Sequence, residues 1–197
     1  MKEQWNQRYN SDAYFYGEAP NAFFKSELQK LKPGKILLPM EGEGRNAVYA
    51  ATLGWEVFAY DFSEIGQQKA IALAKKYKVN ISFEIIGNEV FECNSVQFDA
   101  LGLIFAHLPI EQRETIFSKW TNCLKPGAEI IMEVYSKKQL ALGTGGPPVL
   151  NLLYSQEELQ SEFSMLSHLN MEQKLVEISE GDGHNGMSSV IRVRGQV

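Results

Sequence analysis

The stretch that decides the fold is Lys35-Ile-Leu-Leu-Pro-Met-Glu-Gly-Glu-Gly-Arg-Asn-Ala47. Ile36–Leu38 is a short apolar run suited to a buried strand, and it feeds a turn with glycine at 42 and 44. Asn46–Leu53 then reads as a helix that stops at Gly54. Strand, glycine-rich turn and helix in succession place unsatisfied helical N–H groups and their positive partial charge at the carboxyl end of a strand. Glycine there allows a tight reversal and lets backbone approach a ligand closely. In an open α/β sheet that edge is where ligands bind.

Outward from this unit the alternation continues. Glu56–Tyr60 is a second strand ending at Asp61, and Ser63 is suited to cap a helix over Glu64–Tyr77. Ile81–Ile85, Phe98–Phe105 and Glu129–Tyr135 supply further strands. Between the last two, a helix runs from Pro109 to Cys123 and stops at Lys125-Pro126-Gly127. Its apolar residues Ile110, Ile116, Phe117 and Trp120 are spaced as a core-facing stripe. Gly143–Pro148 is a loop, and Ser155 with Glu158 forms a capping box for a helix over Gln156–Phe163. Met171–Ile178 and Ser188–Val193 flank a Gly/Asp/His/Asn-rich turn and read as a hairpin. A helix over Asn21–Leu31, ended by Lys32-Pro33-Gly34, precedes the first strand. The pattern predicts a doubly wound, Rossmann-like α/β fold: a seven-stranded sheet, mostly parallel, with an antiparallel last strand. Residues 1–197 are expected to form a single domain, with the aromatic segment 1–30 packed on it as a lid and helix.

The bulk numbers narrow the function. The chain has 197 residues, 19 basic and 24 acidic, for a formal net charge of -5. Nothing in that balance draws it to nucleic acid or to an anionic membrane, and no Asn/Asp-Pro-Pro-Tyr motif marks a base-flipping enzyme. No apolar run approaches the roughly 20 residues needed to span a bilayer. Cys93 and Cys123 stand far apart with no metal-ligand spacing, so neither a disulfide framework nor a metal site is expected. These features lead us to expect a cytoplasmic protein, monomeric or weakly dimeric, acting on a small molecule.

Asp61 at the end of the second strand can accept hydrogen bonds from two ribose hydroxyls, which points to an adenosine cofactor. Gly42 to Ala47 fits the loose pattern GxGxxA, which does not choose between NAD and S-adenosylmethionine. Glu41 and Glu43 would crowd a pyrophosphate with like charge but suit a sulfonium and an ammonium. An NAD-dependent oxidoreductase is the alternative, disfavoured by those charges and by a chain too short for a separate substrate domain.

Taken together, Glu41–Ala47, Gly54-Trp-Glu-Val57, Asp61-Phe-Ser63 and Leu124-Lys-Pro-Gly127 resemble class I S-adenosylmethionine-dependent methyltransferases. Trp5-x-x-Arg-Tyr9, Tyr16-Gly-x-x-Pro-Asn21, Thr144-Gly-Gly-Pro147 and Glu180-Gly-x-Gly-His-Asn-Gly186 extend the likeness toward the tellurite-resistance-type and the small-thiol or thiopurine branch. The resemblance implies that Glu41, Gly42 and Gly44 line the methionine part of the cofactor, with Arg45, Asn46 and Ser63 in the same set. It implies Asp61 on the ribose, Phe62 against the adenine, Asn88 and Glu89 at the adenine amino group, and Phe105 facing the cofactor. The acid and the glycine that usually precede the two glycines are here Leu38 and Met40, and Glu41 is expected to replace the acid electrostatically. A non-catalytic module that binds S-adenosylmethionine or S-adenosylhomocysteine is the reading this departure motivates.

Methyl transfer asks the protein mainly to align donor and acceptor and to exclude water. His107, after the fourth strand, and His184, in the hairpin turn, fall on the ligand edge, and both are candidate catalytic groups. The loop with Thr144, Gly145 and Gly146 is expected beside the acceptor. Among the N-terminal aromatics, Tyr9 and Tyr16 are expected to close over it. Arg45 could hold an anionic group or pair with Glu41 or Glu43.

Overall fold

A computed structural model describes residues 2–93 and 95–197. Its spine is β1, Lys35–Pro39, whose side chains alternate between two buried faces as the strand period requires. Leu37 joins one hydrophobic layer, and Ile36 and Leu38 join the other. The first layer lies under α5 (Ile110–Thr121) and α6 (Gln156–Glu162), around Trp120, Phe117 and Phe163. The second lies under α2 (Ala22–Leu28), α3 (Arg45–Thr52) and α4 (Glu64–Tyr77), with Phe24, Ala47 and Ala70. Small residues on α3 and α4 let the two helices approach each other: a Cβ on Gly44 would collide with Ala70.

The remaining strands are β2 (Glu56–Asp61), β3 (Ser82–Ile85), β4 (Phe98–Ile104), β5 (Leu124–Tyr135), β6 (Ser167–Glu180) and β7 (His184–Gln196). The seven-stranded order is β3-β2-β1-β4-β5-β7-β6. β1 through β5 pair in parallel, and β7 is antiparallel to both β5 and β6. This is the Rossmann-like arrangement expected from the alternation. Strand order reverses between β1 and β4, so the crevice at their carboxyl ends is the natural ligand site. β6 runs in the direction of β5, which brings the turn at 181–183 to the same edge.

The structure corrects several expected boundaries. Lys125-Pro126-Gly127 does not separate helix from strand but lies inside β5, where the register against β4 shifts between Phe98 and Ala100. The irregularity accommodates a proline without an N–H, and Gly127, at φ 81, donates to the Val197 carbonyl. The hairpin strands are longer than the segments that announced them, because their ends mix polar, exposed and half-buried residues that carry no apolar run. α2 ends at Leu28, not Leu31. The expectation that Cys93 and Cys123 stay apart is also overturned. Gln97 and Phe98 donate to the Cys123 carbonyl, which folds the β3–β4 connection against the end of α5 and brings the two cysteines into disulfide contact, Cα atoms 5.6 Å apart. No helix among the described residues is long and apolar enough to cross a membrane.

Candidate active site

After β1 the chain turns with positive φ at Met40, Gly42 and Gly44. Met40 holds this conformation while its side chain packs on the larger hydrophobic layer, and Leu38 is fully buried in the other. Asp61 fastens the turn: Oδ2 accepts from the Gly42 N–H (3.1 Å) and Oδ1 from the Ser63 N–H (2.8 Å). Each oxygen keeps further acceptor capacity. Burial pushes the Asp61 carboxyl up to about 6, against the pull of those N–H groups. Ser63 caps α4 by accepting from Gly66 (3.0 Å) and donates to Asn6 (2.6 Å).

Glu41 is half-buried and turned onto the start of α3. Gly44 has no side chain with which to cap that helix, and Glu41 Oε1 accepts from the Ala47 N–H (2.7 Å) in its place. Burial pushes Glu41 up to about 7 against this bond. Asn46, buried, reaches Glu41 at 3.5 Å and accepts from the Asn21 N–H at 2.9 Å. Glu43 is not a ligand-facing acid. It pairs with Lys69 (2.6 Å) and accepts from the Phe15 N–H (2.8 Å), holding the N-terminal segment to α4. Arg45 pairs with neither glutamate. It leaves the first turn of α3 toward the hairpin, binds Glu180 (2.6 Å) and donates to the carbonyls of Tyr16 and Ala19.

Phe62 is half-buried beside Asp61. Asn88 Oδ1 already accepts from Tyr60 (3.0 Å), which in turn accepts from Trp120 (2.5 Å). The Asn88 carbonyl keeps a second lone pair, so it can still accept from a further donor. Glu89 is exposed and folds back over Gly87. Over the crevice lies α1 (Lys2–Tyr9). Tyr9 is buried, with its hydroxyl so near Gly42 that a Cβ there would stand 2.6 Å away. Lys69 ties this helix end down through the carbonyls of Tyr9, Ser11 and Ala13.

Beyond the crevice, on the same sheet edge, lies an aromatic box. Phe105, just past β4 at φ 52, stacks on Tyr135 at 4.6 Å and meets His184 edge-on at 4.2 Å. His107 stacks on Tyr135 at 5.7 Å, and Tyr16 lies 4.4 Å from His184. His107 Nδ1 faces the Leu152 carbonyl at 2.8 Å, so it carries the hydrogen and Nε2 is the acceptor. Burial pushes His107 down to about 3. Both His107 Nε2 and the Tyr135 hydroxyl are buried without a partner. His184 is not an exposed turn residue but the buried first residue of β7, bridged to Gly145. Thr144 donates to the Met187 carbonyl at 2.5 Å, and Gly145 and Gly146 lie against the Tyr135 ring, where a Cβ would not fit.

The expected residues thus fall into two groups on one sheet edge: Glu41, Gly42, Asp61, Ser63 and Asn88 around the crevice, and Tyr16, Phe105, His107, Gly145 and His184 around the box. Arg45 joins the second group instead of the first. The sequence reading missed Tyr135, whose only signal was an aromatic at the carboxyl end of a strand. It also missed Glu180, although that residue opens the quoted segment 180–186.

Residues 38–127 match the family model described as a methyltransferase domain. No curated protein sequence matches the chain. Among solved structures, one from work on the conversion of a disulfide bond into a thioacetal group during echinomycin biosynthesis shares 17% identity, with a TM-score of 0.79 over 100% of this chain and 91% of that one. TehB from Haemophilus influenzae shares 17% identity, TM-score 0.71, over 99% and 66% of the two chains. The N-methyltransferase NodS from Bradyrhizobium japonicum, in complex with S-adenosyl-L-homocysteine, shares 11% identity, TM-score 0.69, over 99% and 97%.

Proposed function

We propose that the methyltransferase domain matched at residues 38–127 makes this chain, acting as one domain, an enzyme that methylates a small acceptor. S-adenosylmethionine is the cofactor. The acceptor is a soft nucleophile, a thiol or a selenium or tellurium species, or a small heterocycle, in keeping with a likeness to the tellurite-resistance-type and thiopurine branch. The enzyme works as a monomer or weak homodimer on a free small molecule, not on nucleic acid or a membrane.

The observation that carries this reading is Asp61: a buried carboxylate at the end of β2, bonded to the Gly42 and Ser63 N–H groups and still able to accept. Glu41, Gly42 and Asp61 with Asn88 and Phe62 offer, in order, an anion, bare backbone, a ribose acceptor and an adenine edge and face, which fits the group. When bound, S-adenosylmethionine supplies a methyl group on a positively charged sulfur. The residues around it do the rest. Asp61 orients the ribose, Glu41 supplies negative charge for the ammonium in place of the absent acid at Leu38, and Phe105 and Tyr16 keep water from the space between crevice and box.

Calorimetric titration with S-adenosylhomocysteine, with NAD as control, tests the reading. Micromolar binding of S-adenosylhomocysteine alone is expected. Binding of NAD instead would return the chain to the oxidoreductase alternative.

A further inference from the structure

The box holds a charge relay that the cofactor crevice does not need. Glu180 Oε2 lies 3.3 Å from His184 Nδ1 and 2.6 Å from Arg45, while Oε1 accepts from Asn21 at 3.0 Å. A carboxylate accepts only, so His184 Nδ1 carries the hydrogen and Nε2 keeps a lone pair. Tyr16, Phe105 and Tyr135 rings enclose the imidazole at 4.4, 4.2 and 5.4 Å. Within the box the polar atoms without partners are another lone pair, His107 Nε2, and the Tyr135 hydroxyl. Lining a site with two imidazole lone pairs and aromatic faces makes it a poor host for an unpaired anion. It suits a flat, neutral molecule that has a hydrogen to give.

We propose that His184 is the general base for the acceptor and Glu180 its positioning residue, and that the acceptor is an uncharged thiol or ring N–H compound that enters protonated rather than an oxyanion. The inference rests on the methyltransferase reading above. In the step, the acceptor's X–H bond breaks and its proton passes to His184 Nε2, while the freed electron pair would form the X–C bond as the sulfonium's C–S bond breaks and the departing thioether keeps that bond's electrons. Glu180, whose charge is shared with Arg45, accepts from the imidazolium Nδ1–H and lowers its cost until the proton leaves to water. The same arrangement recurs wherever a carboxylate fixes the tautomer of a catalytic histidine.

The surroundings suit this role. Burial chiefly keeps His184 neutral at rest, against the pull of Glu180. Burial alone would raise Glu180, but the His184 N–H and the Arg45 guanidinium outweigh it and hold the carboxyl down at about 2. The other charged or titratable groups acting on the pair are Arg8, Tyr16, Tyr135 and His107. Arg8 reaches Tyr16 from outside the box, so the one cation directly behind the imidazole, Arg45, is already neutralised by Glu180.

Three measurements test it, using the full chain. Nitrogen NMR of the histidine rings, without cofactor, is expected to find the His184 hydrogen on Nδ1, and the tautomer is expected to become mixed in Glu180→Gln. With phenylmethanethiol, an aromatic thiol neutral at neutral pH, His184→Asn is expected to lower turnover by about 100-fold and to abolish the acid limb of the pH profile. S-adenosylhomocysteine affinity is expected to stay within about twofold in both variants. A hydrogen on Nε2, an unchanged rate in His184→Asn, or tellurite methylated in preference to the thiol would overturn the proposal. If the wild-type chain fails to bind S-adenosylhomocysteine, the methyltransferase reading falls instead, while the NMR result still decides the Glu180–His184 arrangement.

Discussion

The crevice and the box share one sheet edge but are built in different ways. In the crevice, polar side chains are held by backbone of the first two strand–turn–helix units: Asp61 by Gly42 and Ser63, Glu41 by Ala47, Ser63 by Gly66. In the box, the walls come from five separate places in the chain, and two of its buried polar atoms bind nothing. A region that satisfies itself is a rigid cradle for a ligand with a fixed shape. A region with unmatched polar atoms is incomplete until something fills it, because leaving them bare costs about 1–3 kcal/mol each.

The sharpest way to break this contrast is at Asp61. Asp61→Ala removes both the proposed ribose acceptor and the clasp on the turn, and S-adenosylhomocysteine affinity is expected to fall by about 100-fold in calorimetry, the worth of a pair of charged hydrogen bonds. Wild-type affinity in that variant would take the ribose role away from Asp61. Next in size, Gly44→Ala puts a side chain at φ 83 and against Ala70. Denaturant unfolding should show a loss of about 2 kcal/mol, and an unaltered midpoint would mean that α3 and α4 can separate freely.

Smaller effects probe the box. His107 lies at about 3 in the folded chain against 6.5 for a free histidine, so it is neutral when folded and protonates in the unfolded chain first. Its contribution to stability is therefore full above 6.5 and is lost progressively as pH falls toward 3. Thermal unfolding midpoints should drop over that window and drop less in His107→Gln. The same slope in both proteins would assign the acid sensitivity elsewhere. Last, Tyr135→Phe deletes a buried hydroxyl that has no partner. The expected result is a stability gain of about 1 kcal/mol together with a higher KM for acceptor and unchanged cofactor affinity. Lower stability would show that the hydroxyl has a structural role.

Legibility in the sequence follows the same division. The crevice could be read because its logic is local: a strand, two glycines, a helix, and an acid at the end of the next strand all fall between Lys35 and Asp61. Ser63 and the Ser155–Glu158 capping box were equally legible, since a cap is a matter of three or four residues. Where reading went astray, the deciding partner lay far off. Arg45 was placed beside Glu41 or Glu43 by proximity, but its partner is Glu180, which the hairpin brings to it. His184 looked like a polar turn residue, but the hairpin ladder continues to it and Tyr16 and Phe105 cover it.

By itself the sequence determined the alternation of strands and helices, the antiparallel close of the sheet, and the place of the glycine-rich turn at the carboxyl end of β1. Periodicity, glycine and capping act over a few residues, and the parallel crossover leaves little freedom in how such units assemble. Only the tertiary structure decided which partners the acids find, the meeting of Cys93 with Cys123, and the chain of Arg45, Glu180 and His184. Those outcomes depend on how each side chain balances desolvation against partners brought from elsewhere in the chain, and that balance exists only once the sheet has closed.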